Sequence, residues 1–273
     1  MIKRIIARLE NFFYRSILKN LLKLSKLGYG TIVTGAESGA NFEHMYDNRP
    51  EGKFIVGRFI DKALLNLPSV QATRGRKEDI KRVLWNEIHN NKLMGRKTCV
   101  LDLASGGARY LRELSEEHRN GDVESICIDK DRACVRLGEN LAKKERINNI
   151  RFFRGDIFRL DHLQKMSSRI PWKPNIVIAS GLFIYFNNTA AEKMLREIYQ
   201  FLPSEGLLIF SSYENLSSRK LMRKVASTSS GEEWILYYRK PDYWRGLLQQ
   251  IGFKQIFILR DRWQMNNICT ARK

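Results

Sequence analysis

The segment Cys99–Leu111, CVLDLASGGARYL, decides the fold predicted for this chain. Its first five residues are mostly apolar and partly β-branched, which predicts a buried strand that ends near Leu103. Ala104 to Ala108 then form a turn of small side chains, and a helical pattern follows. Such a turn lets a ligand lie directly on backbone N–H groups and on the helix N-terminus. The segment therefore predicts either a site for a nucleotide-like cofactor or a tight turn without a ligand.

The spacing of the turn argues against a nicotinamide dinucleotide. A G-x-G-x-x-G fingerprint counted from Ala104 and Gly106 would place its third glycine at Arg109. Because the pyrophosphate and the helix approach closely at that position, a long cation fits NAD poorly. A dehydrogenase is therefore the least favoured class of enzyme.

The turn resembles motif I of the class I S-adenosylmethionine (SAM) methyltransferases, D/E-x-G-x-G-x-G. Asp102, Ala104, Gly106 and Ala108 occupy the matching positions, with alanine in place of two glycines. The resemblance implies that Asp102 and the turn residues Ala104, Ser105, Gly106 and Gly107 bind SAM.

Strand and helix patterns alternate after the turn. Strands are predicted near residues 98–103, 124–129, 150–154, 174–179 and 206–212, and helices near 107–119, 131–143, 189–201 and 240–251. Two last strands, near 254–259 and 266–271, are joined by a connection too short for a crossover helix, so they must run antiparallel. The predicted fold is α/β: a doubly wound, mostly parallel, seven-stranded sheet with a terminal antiparallel hairpin and a helical N-terminal extension. That hairpin is typical of SAM methyltransferases.

Acidic residues follow the second strand. Asp129 lies 27 positions after Asp102, and the resemblance implies that its carboxylate binds both ribose hydroxyls, with Lys130 beside it. The alternative is a helix N-cap, a role for which Asp131 is better placed.

The next two strand ends complete the candidate cofactor site, because ligands of open α/β sheets bind beyond the carboxyl ends of the strands. Asp156 follows the third strand in a Gly-Asp-hydrophobic element that resembles the one holding adenine, where Ile157 or Phe158 would cover the ring. Ser180 follows the fourth strand, where methyl donor and acceptor are expected to meet. A Gly-Asp pair is also common in turns without ligands.

The resemblance extends over Asn41 to Arg272, which looks like a family of uncharacterised bacterial methyltransferases. The segments that carry it read MYDNRPEGK, GRFIDKALLN, LDLASGGARYL, SGLFIYF, GEEWILYYRK and IGF. The family more often has glutamate where this chain has Ile184, so no catalytic role transfers to that position. The family does not indicate the acceptor.

Candidate catalytic groups are few, since methyl transfer from a sulfonium needs alignment more than covalent help. A general base is needed only for a protonated acceptor, and the candidates are Tyr185, Tyr213, Glu214 and Tyr46. Each also has a structural explanation as a core or rim residue, and none is favoured as the base. Because the segment ahead of motif I commonly forms a lid in this class of methyltransferase, the resemblance implies that residues 28–97 form a linker followed by a helical lid. Four of its residues then either line the acceptor pocket or are surface residues: Tyr46, Asn48, Arg49 and Arg58.

The first 27 residues read as one basic amphipathic helix. Such a helix either lies on an anionic membrane or a partner, packs on its own domain, or acts as a targeting peptide. Gly28 to Ala40 is rich in glycine and predicts a linker or mobile loop. The expected division is therefore residues 1–27, 28–97 and a SAM-binding domain over 98–273.

Composition limits the partners and the compartment. The 273 residues are 43% hydrophobic and carry a formal net charge of +19, which favours an anionic partner or simply marks a basic protein. The four cysteines form no C-x-x-C pair and the four histidines are scattered, which favours a reducing cytoplasm and no metal site. No apolar run approaches the ~20 residues that cross a bilayer.

The sequence thus predicts a cytoplasmic SAM-dependent methyltransferase acting on a small molecule or a lipid. Contact of residues 1–27 with a membrane surface is one of the alternatives left open. An RNA methyltransferase ranks second, because Ala179 to Leu182 carries neither the N/D-P-P-Y/F element of base-amine methyltransferases nor the cysteine of pyrimidine C5 enzymes. A third reading is a catalytically silent binding module with a methyltransferase fold. The oligomeric state is left open.

Overall fold

The computed structural model describes residues 17–117, 121–157, 173–215, 222, 226 and 235–273. The chain forms two compact units. The first holds the described residues from 17 to 74 with Met222, Ala226 and Ile235, and the second holds those within 75–215 and 236–273. The second unit contains the sheet.

The sheet has seven strands in the order β3-β2-β1-β4-β5-β7-β6. They are β1 (Thr98–Leu103), β2 (Val123–Asp129), β3 (Ile150–Arg154), β4 (Ile176–Ala179), β5 (Leu207–Tyr213), β6 (Lys254–Arg260) and β7 (Asn266–Arg272). Strands β1 to β5 pair in parallel, whereas β7 pairs antiparallel with both β5 and β6. The predicted doubly wound sheet with its terminal hairpin is confirmed.

Helices cover both faces of this sheet and close two apolar cores. They are α5 (Pro68–Leu93), of which the second unit holds the residues from Gly75, then α6 (Arg109–Glu117), α7 (Arg132–Lys144), α8 (Asn188–Phe201) and α9 (Pro241–Ile251). All residues of β1 and β5 are buried, as expected for strands that have helices on either side. Strand β1 lies between β2 and β4, so the direction of winding reverses beside it. Ligands of open α/β sheets bind at the carboxyl ends of the strands at such a point.

The first unit is helical, with α1 (Lys19–Leu22), α2 (Lys26–Tyr29), a π-helical turn (Gly30–Gly35), α3 (Gly39–Asp47), α4 (Phe54–Leu65) and the start of α5. Two expectations are wrong here. The predicted continuous helix over residues 2–27 is interrupted, because Ser25 is extended, caps α2 and pairs with Gly52; residues 1–16 lie outside the described residues. The predicted loop Gly28–Ala40 is largely helical, because its glycines serve close packing: a Cβ at Gly30 would lie 1.8 Å from Oδ1 of Asn41.

A buried carboxylate holds the first unit together. Asp61 on α4 is fully buried and accepts hydrogen bonds from the Ser25 hydroxyl, from His44 Nε2, and from the backbone N–H groups of Leu27 and Glu51, at 2.7 to 2.9 Å. Burial alone raises the pKa of Asp61, but these hydrogen bonds outweigh it and hold the pKa below its ordinary value. One side chain thus fixes α2, α3 and the 48–53 segment against α4.

The cysteines behave as small apolar residues: all four are buried and none is in a disulfide bond, namely Cys99, Cys127, Cys134 and Cys269. Among the helices in the described part of the chain, none combines the length and the apolar character that crossing a bilayer requires.

Candidate functional site

The turn after β1 has the backbone of a glycine loop although only two of its residues are glycine. Ala104, Gly106 and Ala108 all have positive φ angles, of 56°, 56° and 50°. A non-glycine residue pays about 1–2 kcal/mol in this left-handed region, because its Cβ approaches the following carbonyl. The turn is held from both sides: Ser105 N–H donates to the Ile128 carbonyl and Ala108 N–H donates to the Ser105 carbonyl. The chain therefore keeps the open, small-sided turn at the cost of backbone strain.

Asp129, at the end of β2, faces this turn. Its Oδ2 accepts the Gly106 N–H at 2.9 Å and its Oδ1 accepts the Asp131 N–H at 2.9 Å. Burial raises the pKa of Asp129, and the hydrogen bonds from these two backbone amides oppose that rise. Asp131 instead caps α7 through the Ala133 N–H, as expected. Each oxygen of Asp129 has a lone pair left for a ligand hydroxyl.

Asp102 lies in β1 and is fully buried. The Tyr110 hydroxyl donates to its Oδ2 at 2.6 Å, while its Oδ1 is buried without a hydrogen-bond partner among the described residues. Burial raises the pKa of Asp102 to about 8, the Tyr110 hydrogen bond lowers it, and the charge of Asp129 raises it further. A buried carboxyl oxygen without a partner is costly and is expected where a ligand supplies the missing contact.

Arg112 on α6 holds the turn through a hydrogen bond to its backbone. Its side chain is 1% exposed, its Nε donates to the Gly107 carbonyl at 2.8 Å, and its Nη1 pairs with Glu145. A guanidinium that is buried and paired in this way is rigid, so Arg112 fixes the orientation of the Gly107–Ala108 peptide.

The residues predicted after β3 divide into two groups. Gly155 N–H donates to the Asp129 carbonyl at 3.0 Å, which brings the half-buried Asp156 to the same sheet edge as Asp129. Ile157 is 3% exposed and belongs to the same apolar core as Leu101 and Ile128, so little of its surface is open to a ring. Lys130 is exposed, and Phe158 lies outside the described residues.

The segment after β4 is tied to β5 and to α5. Gly181 has a φ of 70°, and its N–H donates to the Ser211 hydroxyl at 2.7 Å, next to the half-buried Ser180. A Cβ at Gly181 would lie 3.1 Å from Nη1 of Arg76, a guanidinium that is 3% exposed. The positive φ and the adjacent guanidinium both favour glycine at this strand exit.

Two of the sequence segments used in the resemblance meet next to this exit. In GEEWILYYRK, the Tyr237 N–H donates to the Ile184 carbonyl at 2.7 Å. Arg239 Nη1 donates to the Phe183 carbonyl at 3.1 Å, and its Nη2 donates to the Phe186 carbonyl. GEEWILYYRK therefore holds the backbone of SGLFIYF through these three hydrogen bonds. Burial lowers the pKa of Arg239.

Comparison with known proteins agrees with this geometry. The model of a family described as "Putative methyltransferase" matches residues 4–273. The chain belongs to this methyltransferase family. A curated relative, the uncharacterised protein YnbC of Escherichia coli K12, is 25% identical over 242 residues; the match covers 87% of this chain and 40% of that protein.

Solved structures share the fold of this methyltransferase family member. A Bordetella parapertussis protein described as a possible exported protein matches with a TM-score of 0.71 and 20% identity, over 93% of this chain and 85% of that one. The magnesium protoporphyrin IX methyltransferase of Synechocystis PCC 6803, solved with S-adenosylhomocysteine (SAH), matches with a TM-score of 0.55 and 16% identity, over 86% and 94% of the two chains. The DszA carbon methyltransferase matches with a TM-score of 0.57 and 13% identity, over 87% and 66%.

The candidate catalytic groups have very different surroundings in this member of the methyltransferase family. Glu214 accepts two hydrogen bonds from Arg260, at 2.9 and 2.5 Å, which makes it a weaker candidate base than its position in the sequence indicates. Tyr213 is 6% exposed and Tyr185 lies in the short 3-10 helix Phe183–Tyr185. Tyr46 belongs to the first unit, where it stacks on Phe42 with ring centroids 6.3 Å apart.

Sequence reasoning did not single out Tyr110, Arg112, Arg76 or Ser211. Their contacts join residues that are distant along the chain or hidden in a helix face, so pattern alone carries no signal for Arg76 and Ser211. Tyr110 and Arg112 do have a weak signal, because both lie in the first turn of the helix that follows the small-residue turn.

Proposed function

We propose that this methyltransferase uses SAM and transfers its methyl group to a small molecule or a lipid. The observation that carries the proposal is the turn after β1, which offers bare backbone and lies between the carboxylates of Asp102 and Asp129 at the switch point of the sheet. The family match and the SAH-bound neighbour support the choice of cofactor.

The residues present fit this cofactor. Oδ1 of Asp102 is a buried acceptor without a partner among the described residues, suited to a cationic ligand group. Asp129 has lone pairs free for ribose hydroxyls and already holds the turn through Gly106. Ala104, Ser105, Gly106 and Gly107 would contact the cofactor through the backbone, and Asp156 and Ser180 are retained as its candidate neighbours at the next strand ends.

The cofactor, when bound, supplies an already activated methyl group. The chain's own contribution is then to align the acceptor, an effect that reaches about 7–11 kcal/mol in favourable intramolecular cases. The segment after β4 suits this task because hydrogen bonds with Ser211 and Arg239 hold its backbone in place. No general base is assigned, and Tyr185 and Tyr213 stay candidates for an acceptor that carries a proton.

An RNA acceptor is the second candidate and rests on the net charge of +19. The missing acceptor elements at Ala179–Leu182 argue against it. A silent binding module is the third, and it rests on alanines in motif I. Contact of residues 1–27 with an anionic membrane stays a prediction, because most of that segment lies outside the described residues.

Calorimetry with SAM, SAH and NAD tests the proposal on purified protein. SAM and SAH should bind and NAD should not. Asp129→Ala and Gly106→Arg should each abolish SAM binding with an unchanged circular dichroism spectrum. Asp131→Ala is the matched control: it removes a neighbouring carboxylate that caps α7 and does not contact the turn, so SAM affinity should stay the same.

The acceptor is sought by incubating the protein and methyl-labelled SAM with small-molecule, lipid and RNA extracts. Label in the lipid or small-molecule fraction supports the proposal, and label confined to RNA favours the second candidate. SAM binding without transfer to any fraction favours the silent module.

A further inference from the structure

Helix α4 (Phe54–Leu65) buries a carboxylate and exposes large apolar side chains, the reverse of an ordinary surface helix. Its buried face carries Gly57, Asp61 and Leu65, at intervals of four residues. Four of its large apolar side chains are exposed, which are Phe54, Ile55, Val56 and Phe59, by 81%, 72%, 55% and 68%. An amphipathic helix normally buries its apolar side, so this orientation requires a cause.

The cause is the polar contact network on the inner face. The Asp61 carboxylate accepts four hydrogen bonds, from Ser25, Leu27, His44 and Glu51. One turn earlier, Gly57 packs so closely that a Cβ there would lie 2.3 Å from the Leu24 carbonyl oxygen. Rotating α4 to bury its aromatic side would break all of these contacts, so the apolar side is held outward.

The start of α4 also carries backbone strain. Phe54 has a φ of 56°, a conformation that is rare for a bulky residue. Strain of this kind costs on the order of 1–3 kcal/mol and is characteristic of functional segments. At Phe54 it accompanies the most exposed of the large apolar side chains on the helix.

Cations surround this apolar surface. Lys53, Arg58 and Lys62 are all exposed, and the only acid between Gly52 and Asn66 is the buried Asp61. We define the docking face as Lys53, Phe54, Ile55, Val56, Arg58, Phe59 and Lys62. Apolar side chains flanked by exposed cations fit an anionic bilayer. The apolar side chains contact the acyl chains, and the cations pair with the lipid phosphates.

We propose that the docking face of α4 binds the surface of an anionic phospholipid bilayer. A second copy of this chain fits less well, because a twofold contact through this face would bring its three cations close to the same three cations of the partner. The proposal does not depend on methyl transfer, because vesicle binding is measured without a cofactor.

Flotation of the full chain with vesicles is the first test. At about 0.1 M salt, the protein should float with equimolar phosphatidylglycerol and phosphatidylcholine and should not float with phosphatidylcholine alone. The double variant Ile55→Ser, Phe59→Ser should weaken partition at least tenfold. The matched control Phe257→Ser, Leu259→Ser removes two exposed apolar side chains, 69% and 46% exposed, from β6 and should float like the wild type.

A fluorescent label gives the second, local test. All four native cysteines are buried, so Phe59→Cys can be labelled with an environment-sensitive maleimide while Phe257→Cys serves as control. On anionic vesicles the label at 59 should shift to the blue and be quenched by a nitroxide lipid, and the label at 257 should do neither.

Three results would overturn the proposal. One is flotation that is unchanged in the Ile55→Ser, Phe59→Ser variant, which would place membrane contact elsewhere in the chain. The second is a label at 59 that is already shielded without vesicles, which would mean that this chain covers the face. The third is a dimer in sedimentation that Phe59→Ser dissociates, which would make the face a contact between copies.

Discussion

The Tyr110 hydroxyl donates a 2.6 Å hydrogen bond to Oδ2 of Asp102, and this contact joins the central strand to the first turn of the helix that follows it. Both residues are buried, and the other oxygen of Asp102 has no partner among the described residues. The pair therefore places a polarised carboxyl group beneath the turn where the cofactor is proposed to bind.

The charge of Asp102 should make SAM binding depend on pH. Because burial raises its pKa to about 8, the carboxyl is largely protonated at pH 6 and must lose its proton to interact with a cationic ligand. SAM affinity should therefore rise with pH through about 8 and level off at about pH 9. Calorimetry between pH 6 and 9 checks this, and a flat profile would contradict it.

Tyr110→Phe should weaken SAM binding by about tenfold, because a hydrogen bond to a charged group contributes about 1.5–3 kcal/mol. Removal of the hydroxyl also raises the pKa of Asp102, so the rise in affinity should move to higher pH. Tyr199→Phe, on α8, removes a hydroxyl that lies against Gly252, so the SAM affinity and its pH dependence should stay unchanged. Equal SAM affinity and pH dependence in the two variants would show that Asp102 does not interact with the cofactor.

Glu113 on α6 should account for part of the loss of stability in acid. Burial raises the pKa of Glu113, but hydrogen bonds from Lys77, Arg109 and Lys81 outweigh it and lower the pKa to about 2. A depressed pKa contributes stability that is present above about pH 4.5 and is lost as pH falls towards 2. Because the side chain is 23% exposed, Glu113→Gln should cost only about 1–2 kcal/mol at pH 7.

Urea unfolding at pH 7 and pH 3 measures the free energy of unfolding of the wild type and of Glu113→Gln. Between pH 7 and pH 3 the variant should lose less stability than the wild type. Glu192→Gln, which removes an exposed pair with Arg196 on α8, is the control and should change stability by less than ~0.5 kcal/mol. A variant that keeps the full acid loss would show that Glu113 does not contribute to it.

Ala104→Gly should stabilise the protein slightly, since the φ of 56° at Ala104 is strained for any residue with a Cβ. Relief of about 1–2 kcal/mol is partly offset by the larger entropy of glycine in the unfolded chain, which leaves a gain of up to ~1 kcal/mol. Ala108→Gly relieves a similar φ of 50° but removes a buried methyl, which cancels the gain. Thermal unfolding of both variants checks the contrast, and a destabilised Ala104→Gly variant would contradict it.

Asp61→Asn should destabilise the first unit by about 2–4 kcal/mol. The carboxylate accepts four hydrogen bonds, and the NH₂ group of asparagine would replace one of its oxygens with a donor that faces other donors. Asp47→Asn, an exposed position on α3, is the control. Proteolysis within residues 17–74 reports on this unit alone. Unchanged protection in Asp61→Asn would show that the network does not hold these helices together.

The sheet was predictable from the sequence because each parallel strand is a short apolar run followed by a helical pattern. The antiparallel end of the sheet was predictable because the connection between β6 and β7 is too short for a crossover. The acids at the strand ends followed from the same reasoning, since the carboxyl ends of parallel strands share one edge. Asp131 was also assigned correctly as a helix cap.

The N-terminal unit was predicted poorly because its structure depends on tertiary contacts. Ser25 ends the amphipathic pattern by bonding to Asp61, which lies 36 residues away. Glycines at 28 and 30 are helical because other segments pack directly on them, whereas glycine in isolation indicates a loop. The partners of Asp102 and Gly107 were missed for a related reason: helical periodicity predicts which face is buried but not which polar atom a buried tyrosine or arginine meets.

The most direct test of the account is calorimetric titration of SAM into the wild type, Asp129→Ala and Asp131→Ala at pH 8. The account predicts that SAM binds one site in the wild type and in Asp131→Ala, and that Asp129→Ala does not bind it although it is folded. SAM binding of equal strength in all three proteins, or none in the wild type, would contradict the central claim that the cofactor lies between Asp102 and Asp129.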